Sequence, residues 1–390
     1  MNTPKPTIRP ANPNFSSGPC TKRPGWSAAV PARALLGRSH RSVEGKARLA
    51  RAIDMTKSIL GLPPGFEVAI VPASDTGAFE LAMWNLLGPR GVTALAWESF
   101  GKIWLTDLVQ ELRIKDAITV EAPFGHLPDL ANVDFSRDVL FTANGTTSGV
   151  RPPSYDWIPT DRGGLTLVDA TSAIFAQPID WSRADVVTYS WQKVLGGEAA
   201  HGMLILSPRA IERLEATSPA WPLPKLFRIK KAGKLDRAIF HGETINTPSM
   251  MCVEDYIDTL EWAQSIGGLT GLHARADANA RVLYDWIDRS AWATCLAVDP
   301  ATRSNTSICM AVNDPAVCAL APAQQADFAR CIADVLDGEG VARDVASYRD
   351  APAGLRIWTG ATVEAADLAA LTPWLDWAFA QAKGALAVTG

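Results

Sequence analysis

The sequence predicts an α/β fold: a mostly parallel sheet with helices on its faces, followed by a smaller α+β unit. Three observations predict it. Short apolar runs bounded by turn residues recur between Val68 and Leu206, separated by helical or loop segments, the alternation expected of a parallel sheet buried between helices. The polar, glycine-containing motifs fall just after such runs, where ligands of these sheets sit. At 390 residues the chain exceeds one ordinary core, so two domains are expected.

Taken in order, residues 1–25 read as a loop-rich arm, because Asn12-Pro13-Asn14-Phe15-Ser16-Ser17-Gly18-Pro19 suits neither a helix nor a central strand. Residues 26–266 form the expected large domain. Within it, residues 68–71 read as a strand, and Ser74-Asp75-Thr76-Gly77 as the start of a helix whose apolar face is Phe79, Ala82, Met83, Leu86 and Leu87. Residues 93–97 are a second short apolar run, and residues 104–112 are helical in pattern. Residues 139–142, 165–168, 186–189 and 203–206 are further short runs. Residues 209–248 break the pattern, with Pro219, Pro222, Pro224 and a basic stretch from Lys225 to Lys234. Residues 251–266 read as a long connecting helix. Residues 267–390 are the expected small domain, with a helix over 274–286, strand-like runs at 307–312 and 355–358, and an end helix over 364–382.

Composition narrows the function classes. With 47% hydrophobic and 20% charged residues the chain is of the soluble globular class. A net charge of −4 gives no general pull toward nucleic acid or anionic membrane. No run approaches the roughly 18 apolar residues of a membrane span, and the polar, proline-containing start does not read as a secretory signal. The six cysteines lack CxxC spacing, which points to reduced thiols in the cytoplasm and to no metal site.

The chemistry concentrates in two places. The run 165–168 delivers Asp169, and the run 185–190 delivers Lys193 just past its end. Their spacing of 24 positions leaves room for both to reach one edge of the same sheet. Pyridoxal phosphate (PLP) chemistry needs such a pair: the lysine forms a Schiff base with the cofactor aldehyde, and the aspartate keeps the pyridine nitrogen protonated so that the ring serves as an electron sink. A surface lysine and a turn-capping aspartate are the plainer alternative. Gly196 and Gly197 let backbone approach a ligand closely.

Other motifs fit around that pair. Ser74, Asp75 and Thr76 at a helix start suit an anion such as the cofactor phosphate, and equally an ordinary helix cap. Asn144-Gly145-Thr146-Thr147-Ser148-Gly149-Val150-Arg151 places small hydroxyls after a strand, as a cofactor-binding loop or a plain turn. Trp104 could stack on a pyridine ring, although most of the 14 tryptophans must serve the core or interfaces. Arg38, Arg41, Arg349 and Arg356 could grip carboxylate or phosphate or lie in solvent.

Together these residues resemble the phosphoserine aminotransferase family of PLP enzymes, of the aspartate-aminotransferase fold type, across nearly the whole chain. The resemblance rests on Asn14-Phe15-Ser16-Ser17-Gly18-Pro19, Ser39-His40-Arg41-Ser42, Asp169, Gln192-Lys193 and His241-Gly242-Glu243-Thr244-Ile245-Asn246-Thr247-Pro248-Ser249. It implies a fold type I PLP-dependent transferase with a mostly parallel seven-stranded sheet. It makes Lys193 the Schiff-base lysine with Gln192 beside it on the phosphate, Asp169 the partner of the pyridine nitrogen, Trp104 the stacking ring and Thr146 the partner of the phenolic oxygen. Ser74, Asp75 and Thr76 fall at the first phosphate-binding turn. Asn246 and Thr247 would bind the cofactor phosphate of a neighbouring subunit, so a homodimer with shared sites is implied. Arg356 would hold the substrate α-carboxylate. His40 and Arg41 would reach the distal substrate group from the other subunit, with Arg349 nearby.

The implied reaction moves an amino group between glutamate and 3-phosphohydroxypyruvate to give O-phospho-L-serine and 2-oxoglutarate. The family is also linked to pyridoxine biosynthesis through a phosphorylated four-carbon acid. Two departures stand out. Ala73-Ser74-Asp75-Thr76 replaces a glycine-rich turn with an arginine, and Tyr348-Arg349 replaces a His-Arg pair. The chain is closer to the branch carrying Asn-Gly-Thr-Thr-Ser-Gly-Val-Arg. Arg228 and Lys230 are the expected replacement charges. The alternatives are a serine–glyoxylate-type aminotransferase, a cysteine desulfurase, or a non-catalytic binding protein. Cys309, Cys318 and Cys331 lack the small-residue loop of a desulfurase, and one basic decapeptide is a poor footprint for nucleic acid.

Overall fold

The computed structural model describes residues 3–389. Seven strands make the large sheet: β1 (Glu67–Pro72), β2 (Val92–Ala96), β3 (Ala117–Glu121), β4 (Asp138–Thr142), β5 (Thr166–Asp169), β6 (Val186–Ser190) and β7 (His201–Leu206), in the order β1-β7-β6-β5-β4-β2-β3. The five strands from β6 to β3 are parallel, and β7 alone runs against the rest, antiparallel to both β1 and β6. Strands β2, β4, β5, β6 and β7 are buried along their length, which is why they read as unbroken apolar runs. Strand β3 escapes that reading because it is an exposed edge, Ala-Ile-Thr-Val-Glu, with no continuous apolar stretch.

The helices are α1 (Val43–Leu60), α2 (Ser74–Leu86), α3 (Ser99–Thr106), α4 (Pro208–Ala216), α5 (Met250–Ser265), α6 (Gly268–Ile287), a single turn α7 (Pro315–Cys318), α8 (Pro322–Gly338) and α9 (Ala365–Thr389). Three differences from the sequence reading have local causes. Helix α1 was not expected, yet Leu49, Ala52, Ile53, Thr56, Ile59 and Leu60 form a helical stripe that packs on α5. Helix α3 begins at Ser99, not Trp104, and ends in a wider π turn over Asp107–Glu111. The segment after β7 does not simply break the pattern. Ser207 caps the N-terminus of α4 by accepting from the Ala210 amide at 3.2 Å, with Pro208 at the first helical position.

The basic stretch folds as a small hairpin, β8 (Lys230–Lys231) and β9 (Lys234–Leu235). It packs at the far end of α2, where the Phe227 carbonyl accepts from Asn85 at 2.9 Å. A second sheet, β10 (Ala293–Cys295), β11 (Ser307–Val312) and β12 (Leu355–Trp358), is antiparallel. It belongs to the part that follows Gly267, whose left-handed backbone (φ 99°) separates α5 from α6. Among the described residues no helix is long and apolar enough to cross a membrane.

At the end of the large sheet opposite the polar motifs, Asp185 ties three segments together. It accepts from Arg162 at 2.8 Å, from Arg209 at 3.0 Å and from the Thr166 amide at 2.9 Å. The Arg162 and Asp185 side chains are each 2% exposed. Removing one partner strands a buried charge, so Asp185→Ala should cost about 3–5 kcal/mol of stability. Urea unfolding followed by circular dichroism would show it. An unchanged midpoint would mean that Arg162 finds water instead.

Candidate active site

The carboxyl ends of the parallel strands meet in one pocket. Each strand sends its next residues there: β1 leads into α2, β2 into Glu98 and α3, β4 into the loop 144–150, β5 into Asp169, and β6 into Lys193. The cavity they enclose has a volume of about 150 Å³. Ser74, Asp75, Thr76, Trp104, Thr146, Asp169, Gln192 and Lys193 all line it. Eight of the residues expected to act on the cofactor, distant in sequence, are therefore together.

Asp169 ends β5, between Thr142 of β4 and Thr188 of β6 in register. Its Oδ2 accepts from the Trp104 indole at 3.1 Å and its Oδ1 from the Thr171 amide at 3.0 Å. Both oxygens are thus held, and the tryptophan is held with them. Phe79 backs the indole at 4.7 Å between ring centroids. The Lys193 ammonium donates to the Ser17 carbonyl, so the N-terminal arm lies across the pocket, and the Cys20 amide donates to the Gln192 carbonyl at 2.8 Å. Gly18 holds a φ of 149°, a backbone that side chains rarely adopt, and any side chain there would also meet the Lys193 ammonium.

Burial pushes Lys193 below the ordinary lysine range, and Arg356 adds to the shift, while Asp169 and Glu98 pull it back. Cys20 beside it is pushed up to about 12 by burial, so its thiol is neutral near pH 7 and contributes no countercharge. Lowering the ammonium pKa makes the neutral amine more accessible as a base.

The N-terminus of α2 points into the pocket, with backbone N–H groups free to bind an anion. Ala73 (φ 66°) and Ser74 (φ 54°) hold left-handed conformations there, strain that is typical of functional turns. Asp75 faces Asp169, Thr171 and Thr188 rather than solvent. Burial first, then the charge of Asp169, raises its carboxyl well above the ordinary range. That shift favours its neutral form, which does not repel an anion at the helix end.

The pocket also carries buried polar atoms without partners among the described residues: Asp75 Oδ1, Thr142 Oγ1, Thr171 Oγ1, Ser190 Oγ and Gln192 Oε1. Each such atom costs about 1–3 kcal/mol if left unsatisfied. Five around one cavity fit a small, highly polar ligand. Thr146 donates its hydroxyl proton to Ser172 at 2.7 Å and keeps its own lone pairs available.

The substrate-side residues divide. Arg356 on β12 stands beside Lys193, its Nε buried and unpartnered, and its guanidinium lies 5.6 Å from the Tyr348 ring, which packs on the pocket residue Phe100. Arg349 is exposed and pairs with Asp350 at 3.5 Å, so the structure does not bring it into the pocket. Arg228 donates to the Leu223 carbonyl at 3.0 Å, and Lys230 donates to the Thr217 carbonyl, both away from the cavity. His40, Arg41, Asn246 and Thr247 are also absent from this pocket. Arg41 and Thr247 are exposed, and His40 and Asn246 are half-buried.

Two pocket residues, Glu98 and Thr142, fell outside the motifs read as chemical in the sequence. Both lie at or just after a strand end, the one signal that would have found them. Among the described residues no group of three or more His, Cys, Asp or Glu is arranged to hold a metal ion.

No protein-family model matches the chain. It is 54% identical over 375 residues to a phosphoserine aminotransferase of Methanosarcina mazei, covering 96% of this chain and 99% of the relative. A phosphoserine aminotransferase structure from Cytophaga hutchinsonii superposes with a TM-score of 0.79 at 23% identity, over 96% of this chain and 99% of that one. A PLP-bound phosphoserine aminotransferase from Trichomonas vaginalis superposes with a TM-score of 0.71 at 16% identity, over 94% and 99%. These two structural likenesses bear on the fold alone.

Proposed function

The chain belongs to the phosphoserine aminotransferase family, and we propose that it transfers an amino group between glutamate and 3-phosphohydroxypyruvate, giving O-phospho-L-serine and 2-oxoglutarate. Its fold is that of the fold type I PLP-dependent aminotransferases. The observation that carries the reading is the convergence of Lys193, Asp169, Trp104 and the α2 N-terminus on one pocket rich in unpartnered polar atoms.

Those residues fit pyridoxal phosphate. When bound, it supplies an aldehyde that condenses with amines and a protonated ring that accepts the electron pair released at the substrate Cα. Lys193 is the anchoring amine. Once displaced by substrate, its Nζ would carry the proton from the substrate Cα to the cofactor carbon that had held the lysine. Asp169 would hold the ring nitrogen protonated, and Trp104, which fixes Asp169, would stack on the ring. The α2 N–H groups, with Thr76, Ser190 and Gln192, would receive the phosphate. Thr146 faces the phenolic oxygen. The arm from Ser16 to Cys20 covers Lys193 and excludes water. Arg356 supplies a buried guanidinium for the substrate α-carboxylate, where a two-pronged ion pair orients the Cα.

The same reading assigns His40, Arg41, Asn246 and Thr247 to the site of a second subunit, because none of them lines this chain's pocket. It therefore makes the enzyme a homodimer with shared sites. It also makes it a cytoplasmic enzyme, in keeping with six cysteines that are all unpaired.

An absorbance spectrum tests the reading. The purified protein should show a visible band that bleaches with glutamate and returns with 3-phosphohydroxypyruvate. A band that bleaches but does not return would move the acceptor to another keto acid. A colourless protein that pyridoxal phosphate cannot reconstitute would sink the assignment.

A further inference from the structure

Glu98 is a buried carboxylate, 1% exposed, that lines the pocket and has no part in the chemistry above. It sits between β2 and α3. Its Oε1 accepts from the Gly101 amide at 2.6 Å, capping the helix that carries Trp104. Its Oε2 accepts from the Thr147 hydroxyl at 2.9 Å, and that hydroxyl accepts in turn from the Ser99 amide at 2.9 Å. Thr147 belongs to the loop that carries Thr146. The two oxygens therefore join α3 to the loop 144–150. An ordinary helix cap needs one oxygen and can sit in water. This one is dry, uses both, and has no cation within ion-pair distance among the described residues.

We propose that Glu98 is a positioning residue, a cross-brace that sets the separation of Trp104 and Thr146 and so shapes the pocket for the cofactor; this rests on the aminotransferase reading. The brace depends on charge, because hydrogen bonds to an ionised carboxylate are about twice as strong as neutral ones. Burial pushes the Glu98 carboxyl up to about 7, against the opposing pull of the Gly101 and Thr147 hydrogen bonds. The groups around it are Asp169, which adds to the rise, Lys193, which feels its charge, and Cys309, whose thiol burial holds neutral at about 12. Below pH 7 Glu98 gains a proton and the brace loosens.

The test is titration of cofactor-depleted protein with pyridoxal phosphate, read by tryptophan fluorescence and visible circular dichroism, at pH 8 and pH 6. At pH 8, Glu98→Gln should bind about fivefold more weakly than wild type, the difference between a charge-assisted and a neutral hydrogen bond. At pH 6 the gap should close to within about twofold, because wild type is then protonated. Thr147→Val removes one grip and leaves the helix cap, so it should weaken binding in the same direction. It alone decides if Glu98→Gln does not fold. Variants that bind like wild type at pH 8, or a Glu98→Gln gap that persists at pH 6, overturn the brace. Wild-type protein that takes up no cofactor at either pH overturns the aminotransferase reading and the brace with it.

Discussion

Lys193→Ala should still hold pyridoxal phosphate but lose transamination by about 10²–10⁴-fold, the range for removing a positioned acid–base group. The phosphate and ring contacts come from α2, Trp104 and Asp169, none of which the substitution touches. What goes is the one amine in the pocket whose pKa is lowered, by burial first and by Arg356 second. No neighbour can replace it: Cys20 is neutral, with its thiol at about 12, and Arg356 cannot give up a proton near neutrality. Two measurements decide. The turnover number with saturating glutamate and 3-phosphohydroxypyruvate reports the loss, and borohydride treatment should no longer fix the cofactor to the chain. Near-normal turnover would remove Lys193 from the chemistry altogether.

Asp169→Asn should lower turnover by about 10²–10³-fold while changing the fold little, the scale seen when a preorganised electrostatic group is lost. The amide's single oxygen gives one of the two contacts, 3.1 Å to the Trp104 indole or 3.0 Å to the Thr171 amide, a substitute. The negative charge has none. Asp75 is adjacent, but burial and then Asp169 itself raise its carboxyl well above the ordinary range and favour its neutral form. Losing the Asp169 charge removes part of what holds Asp75 neutral. At high pH Asp75 could then ionise, so the defect in Asp169→Asn should shrink as pH rises, whereas Asp169→Asn/Asp75→Asn should show no such recovery. The pH profile of turnover in the two variants reads this directly. A single variant as active as wild type would mean that the ring nitrogen needs no carboxylate here.

Much of the large sheet was legible because its strands are buried on both faces and short apolar runs mark them. Strand β3 was not, since an edge strand with three exposed residues leaves no such mark. Helix α4 was hidden by the prolines that follow it, although Ser207-Pro208 is an ordinary cap-and-start pair. The candidate site was legible where a residue's place follows from its own strand. Asp169 ends β5 and Lys193 follows β6, and parallel neighbours end at the same edge.

By itself, then, the sequence determined which strands carry chemistry at their ends, because strand and helix starts are set by neighbours within a few residues. Only the tertiary structure decided which side chains complete the pocket. Lys193 meets the Ser17 carbonyl across 176 positions, and Trp104 meets Asp169 across 65. Asp75 turns toward Asp169 instead of solvent, Arg349 faces outward, and Glu98 bridges to Thr147. These outcomes depend on how distant segments pack and on which polar groups lose their water, and periodicity along one chain carries neither.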